Sequence, residues 1–282
     1  MGETWTGDDE TRHFLVGLAR GLAGALLFAL PMLMTMEMWS LGLYVERSRL
    51  FLLCLLALPL LVVLARLIGF ENVTSWPAAV RDALIAYGLG ILLGAAVLLL
   101  FGILDDQPTA DTIAAKVALQ SVPAGIGALL GRSQLGRHSE ERDAEDGDDG
   151  GETGYVHELF MMMTGALFFS LNMAPTEEMV LIAYKITPFH TLLAVIVSVA
   201  LMHGFVYALH FRGSHRPAEG RAWWDPFLRF TLPGYVIALS VSLYALWTFG
   251  RLDHTGFSPA VTAAVVLGLP AAVGAASARL VL

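Results

Sequence analysis

Residues 83–104 run for twenty-two positions without a charged side chain, and residues 51–65 run for fifteen. A helix of about 20 apolar residues matches the ~30 Å hydrocarbon core of a bilayer. Within that core, only helices and closed barrels satisfy their own backbone hydrogen bonds. A chain with several such runs is therefore read as an all-α membrane protein. Apolar windows predict about eight spans, at residues 14–38, 50–68, 83–104, 112–130, 159–184, 189–209, 230–249 and 259–280. The fourth and eighth are rich in Ala and Gly, which suits close packing against neighbouring helices. With 56% hydrophobic and 15% charged residues, little of the chain is left for a soluble domain. The polar segment 1–13 lacks the pattern of a signal peptide, so the first apolar run is expected to remain as a span.

The net charge of −8 is local rather than global. Residues 139–152 hold eight acidic side chains against Arg142 alone. Rich in Gly, Asp and Glu, this stretch cannot bury a core and is expected to be a disordered linker. It divides the chain into a first half at 1–135, a linker at 136–155 and a second half at 156–282. Its Asp146-Gly-Asp-Asp-Gly lacks the full spacing of a calcium-binding EF loop. The basic residues Arg12, Arg20, Arg66, Arg81, Arg132, Arg137, Arg212, Arg216, Arg221 and Arg229 fall on one side of an eight-span arrangement. The positive-inside rule then places both termini and the linker in the cytoplasm, with the chain in the cytoplasmic membrane.

The two halves resemble each other. Residues 24–38 (GALLFALPMLMTMEM) and 165–179 (GALFFSLNMAPTEEM) share nine of fifteen positions, including Thr35/Thr176, Glu37/Glu178 and Met38/Met179. Further on, Tyr87 matches Tyr235, and Phe101-Gly102-x-Leu104-Asp105 matches Phe249-Gly250-x-Leu252-Asp253. Pro123-Ala124 matches Pro270-Ala271, and Gly127-Ala128 matches Gly274-Ala275. Such self-similarity predicts two four-helix repeats. An even number of spans per repeat makes them parallel, related by a pseudo-two-fold axis along the membrane normal, whereas inverted repeats need an odd number.

Glu37 and Glu178 are the candidate ion- or proton-binding residues. A carboxylate within a span is unfavourable unless it faces protein, water or a cation. Counted along one continuous helix from Arg20, Glu37 lies ~25 Å on, towards the outer membrane surface. Pro31 and Pro175 precede the two glutamates and free backbone carbonyls, and the Thr35 and Thr176 hydroxyls stand close by. Carboxylate, carbonyl and hydroxyl oxygens suit hard cations or protons. The competing reading is that each Glu marks the outer end of its span and reaches the headgroups. Asp105 and Asp253 form a second repeated pair, a candidate acidic outer vestibule or ordinary helix-end solvation.

Other features have plainer explanations. His203 and His210 share a helix face with haem-like spacing, but the first half has no counterpart. Cys54 is a single cysteine in an apolar run, so neither an intrachain disulfide nor a cysteine metal cluster is available. The Trp and Tyr residues at span ends form an interfacial belt, and the methionines suit packing around an irregular helix. No phosphate loop, nucleotide fingerprint or nucleic-acid patch is present.

Thr35-Met-Glu-Met-Trp39, together with Ala174-Pro-Thr-Glu-Glu178, resembles an uncharacterised family of bacterial integral membrane proteins. The resemblance covers nearly the whole chain apart from the termini and the acidic linker. It implies a membrane protein and carries no assigned activity.

The leading expectation is a transport protein, either a cation channel or a cation- or proton-coupled carrier. No cofactor is expected, and the metal, if any, is unspecified. The expected partners are membrane lipid, a monovalent or divalent cation or proton, and a second copy of the chain, with no nucleic acid. One alternative is an intramembrane enzyme using Glu177, Glu178 and His203 in the manner of a protease. A membrane scaffold or signalling protein acting through the acidic linker is the other.

Overall fold

The computed structural model describes residues 7–68, 75–104, 109–137, 152–208 and 227–281. Among the described residues, every regular element is helical. They are α1 (Gly7–Leu33), α2 (Met36–Tyr44), α3 (Arg47–Ile68), α4 (Trp76–Leu100), α5 (Ala110–Arg137), α6 (Glu152–Met173), α7 (Glu177–Lys185), α8 (Pro188–Ala208), α9 (Leu232–Thr248) and α10 (Phe257–Val281). A single π-helical turn, Phe227–Thr231, leads into α9. Among the described residues, seven helices are long and apolar enough to cross a membrane, and the bent pair α6–α7 supplies an eighth crossing if taken as one span.

The chain folds as two compact units. Unit 1 comprises Met1–Leu43 and Leu50–Glu145, and unit 2 comprises Tyr44–Arg49 and Asp146–Leu282. Unit 1 is organised around α5, whose spanning window is 72% buried against 28–33% for α1, α3 and α4. The small residues of α5 are the cause. A Cβ on Gly24 of α1 would stand 2.5 Å from the Gly127 carbonyl oxygen and 2.9 Å from the Gly131 nitrogen, both on α5. Gly90 of α4 is equally tight, with a hypothetical Cβ 2.6 Å from Ser121 O. Backbones that approach this closely gain dispersion contacts along their whole length, which is how helices associate where lipid removes the hydrophobic drive.

Unit 2 uses the same device between its own first and last long helices. A Cβ on Gly274 of α10 would lie 2.5 Å from Gly165 O on α6, and another on Gly165 would overlap Gly274. Around this crossing sits a core of Met162, Ala166, Met202, Tyr235, Ala238, Ala271 and Ala275.

Two of the expected spans are broken, and for one reason. The run at 14–38 is not one helix, because α1 ends at Leu33 and α2 begins at Met36. The run at 159–184 is likewise broken between Met173 and Glu177, and α7 leaves α6 at 92°. Among the described residues, each half therefore holds five α-helices instead of four. A hydropathy window does not register the change, because Met34, Ala174 and Pro175 are as apolar as the helix around them. The depth of Glu37 counted along an unbroken helix from Arg20 does not apply for the same reason. The third span also starts earlier than expected, at Trp76, where Pro77 occupies the first turn and Arg66 stacks 4.2 Å above the Trp76 ring. The acidic linker at 139–151, Asp105 and His210 lie outside the described residues.

Candidate functional site: two broken helices and their glutamates

In unit 1, α1 carries Pro31, which has no N–H for the helical ladder. The helix ends two residues later, at Leu33. Thr35 closes the break by donating twice to the Met32 carbonyl, from its amide (3.1 Å) and from its hydroxyl (2.8 Å). The Trp39 indole donates to Leu33 O at 2.7 Å. Carbonyls left over at the end of a helix need such partners in a membrane.

In unit 2 the break falls at Ala174-Pro175-Thr176. Thr176 makes the same pair of bonds to Met173 O, 3.1 Å from its amide and 2.8 Å from its hydroxyl. The Pro175 carbonyl accepts from the Arg251 guanidinium. Asn172 donates to Phe168 O at 2.8 Å, while its side-chain oxygen is buried without a partner.

Glu37 is the second residue of α2 and Glu178 the second residue of α7. Glu37 is half-buried and Glu178 exposed. A carboxylate in the first turn of a helix gains typically 0.3–1 kcal/mol from the unpaired amides there. Each also follows the carbonyl-rich end of a long helix, whose partial charge is negative. The described ion pairs are Arg49–Glu46, Arg49–Asp253 and Arg81–Asp82, so none includes Glu37 or Glu178. Both hydroxyls, Thr35 and Thr176, have their protons committed to carbonyls, so any further bond they make is as acceptors. Glu177 precedes Glu178, and Met36 holds that position before Glu37.

Asp253 stands on the turn between α9 and α10, where Arg49 grips it with two bonds, 3.0 Å and 2.8 Å. The same guanidinium donates to Trp247 O at 2.7 Å and lies 5.0 Å from the Trp247 ring centre. The charge of Asp253 is therefore already engaged. The Phe-Gly pair before it is a helix stop. Gly250 has φ +70° and Gly102 has φ +69°, with Arg251 N bonded to Leu246 O and Ile103 N bonded to Leu98 O. This is the Schellman geometry, for which glycine is favoured because it carries no Cβ.

Two polar residues that sequence reading did not single out as site candidates, Lys116 and Gln120, are buried in unit 1. Lys116 is 8% exposed inside unit 1 and donates to Ile103 O at 3.1 Å. One turn further along α5, Gln120 is fully buried, with neither amide atom bonded. His203 pairs with Thr231 Oγ1 at 3.0 Å at the π-helical turn. No group of three metal-ligating side chains converges among the described residues.

A family profile matches residues 17–282, nearly the whole chain, under the description "Putative integral membrane protein (DUF2391)". The chain belongs to this integral membrane family. No curated protein and no solved structure matches it. Membership in the DUF2391 family agrees with the seven or eight helices of spanning length and assigns no activity to the broken helices.

Proposed function

We propose that this DUF2391 protein is a transport protein of the bacterial inner membrane, moving a small cation or protons. Glu37 and Glu178 bind the ion, with the Thr35 and Thr176 hydroxyl oxygens beside them. The two halves run parallel about a pseudo-two-fold axis, and both termini are cytoplasmic. One observation carries the reading: in each half a long apolar helix stops short and a short helix restarts with a glutamate that has no cationic partner among the described residues. Discontinuous helices are how membrane carriers present carboxylates and helix-end carbonyls to an ion without exposing them to lipid. The negative end of the preceding helix adds to the attraction for a cation. The membrane setting makes an uncompensated carboxylate costly, which favours a site that a cation completes.

The test is flux into liposomes holding the purified chain, under Na⁺, K⁺, Ca²⁺ and proton gradients. Glu37→Gln combined with Glu178→Gln is expected to reduce flux by about tenfold or more while the protein stays monodisperse and folded. Undiminished flux in the folded double variant would move the site elsewhere. Absence of flux in the wild type under every gradient would remove the transport reading.

A further inference from the structure

Unit 2 contains a cleft between α7, the α9–α10 turn and the start of α10. Met179, Ala183, Leu252, Pro259 and Ala263 form its apolar walls, and Arg251 supplies its charge. Arg251 gives one N–H to Pro175 O, while its Nε is buried with no acceptor. None of the described ion pairs includes it. A half-buried guanidinium with no carboxylate partner is an unsatisfied cation, and such groups draw anions.

In unit 1 the corresponding place is filled by a side chain. Lys116 stands seven residues before Pro123 on α5, as Ala263 stands seven before Pro270 on α10. The Lys116 stem lies against Gly42 of α2, so closely that a Cβ there would be 3.1 Å from Lys116 Cα and would overlap its Cγ. Its ammonium donates to the Ile103 carbonyl, at the position in the Phe-Gly turn that Arg251 holds in unit 2. In unit 1 the protein fills the space itself. In unit 2 two alanines, Ala183 and Ala263, leave it open and the cation moves to the wall.

The location selects the occupant. The turn that carries Arg251 joins two spanning helices, Phe227–Thr248 and Phe257–Ala278, so it lies at a membrane face. The helix α7 is bent 92° from α6 and exposes Leu181, Ile182 and Tyr184 between the charged ends Glu177 and Lys185. That is the make-up of a helix resting at the boundary of the acyl region. A cleft there with one cation and apolar walls matches an anionic headgroup attached to the first carbons of an acyl chain.

We infer that the Arg251 cleft is a binding site for an anionic phospholipid, which pairs its phosphate with the guanidinium. The inference does not rest on the transport reading. The experiment is native mass spectrometry of the full chain in detergent, titrated with phosphatidylglycerol or phosphatidylcholine. Wild type is expected to prefer phosphatidylglycerol by about tenfold, because phosphatidylcholine sets a choline cation beside the same phosphate and so opposes the guanidinium. Arg251→Gln should abolish that preference and Arg251→Lys should keep part of it. Because Arg251 also holds Pro175 O, a second variant leaves it untouched: Ala263→Leu fills the cleft and should lose phosphatidylglycerol while melting at the wild-type temperature. Equal binding of the two lipids overturns the assignment, as does phosphatidylglycerol retained by Ala263→Leu. Displacement of the lipid by millimolar inorganic phosphate would also overturn it, in favour of a free-anion site. Flux in liposomes of phosphatidylcholine alone reads the transport proposal separately.

Discussion

At the scale of single residues, Gln120 is the least settled group in unit 1. Its side chain is fully buried on α5, facing Gly94 of α4, with no hydrogen bond to either amide atom. An unsatisfied buried polar group costs on the order of 1–3 kcal/mol. Leu267 stands three residues before Pro270, as Gln120 stands three before Pro123, so leucine is accepted in an equivalent sequence setting. Gln120→Leu is expected to raise stability by about 1 kcal/mol or more, read as a higher midpoint of unfolding in detergent. A lower midpoint would mean that water or an ion holds this amide, and would add Gln120 to the ion path. Lys116, one turn away, is the contrasting case: its ammonium has the Ile103 carbonyl, and the neighbouring helix accommodates its stem through Gly42.

At the scale of elements, the packing device is the glycine crossing of α1 on α5 and of α6 on α10. Gly24→Ala and Gly165→Ala each place a methyl group against backbone, which cannot rotate away as a side chain does. Each is expected to cost about 1–3 kcal/mol. Gly88→Ala in α4 meets nothing within 4 Å and should be neutral or slightly stabilising, by up to about 1 kcal/mol. Thermal melting of the three variants side by side checks the claim, and equal melting temperatures would refute it. The sequence already carried much of this. Runs free of charge located the spanning helices, and the Ala and Gly content of 112–130 pointed to its burial. The repeated Phe-Gly pair was visible, although its meaning as a helix stop needed the φ of Gly102 and Gly250. What the sequence concealed were the two breaks. Thr35 and Thr176 terminate helices through hydrogen bonds to Met32 and Met173, and hydropathy does not measure hydrogen bonds. Arg251 and Arg49 were equally invisible as site builders, since their partners Pro175 and Asp253 lie 76 and 204 residues away.

At the scale of the whole molecule, the breaks bear on how many times the chain crosses the membrane. A nine-residue helix such as α2 or α7 is only ~13 Å long, while the hydrocarbon core needs ~30 Å. Neither short helix adds a crossing by itself: the first half has four spanning helices, the second has four when α6–α7 makes one crossing, and the proposal of parallel halves stands on that parity. It makes a definite prediction about sidedness, and the chain is convenient for testing it. Cys54 is its single cysteine, so Cys54→Ser gives a background with no thiol. Into it, one at a time, go Thr109→Cys before α5, Ser258→Cys in the first turn of α10, and Gly147→Cys in the acidic linker. The two helix-start positions are exposed. With parallel halves and cytoplasmic termini, a membrane-impermeant maleimide added to intact spheroplasts should label positions 109 and 258. Position 147 should react only after the membrane is opened. Antiparallel halves would place 109 and 258 on opposite faces, so that only one of them reacts from outside. That result would remove the shared axis on which Glu37 and Glu178 are proposed to act, and would leave each glutamate to be explained within its own unit.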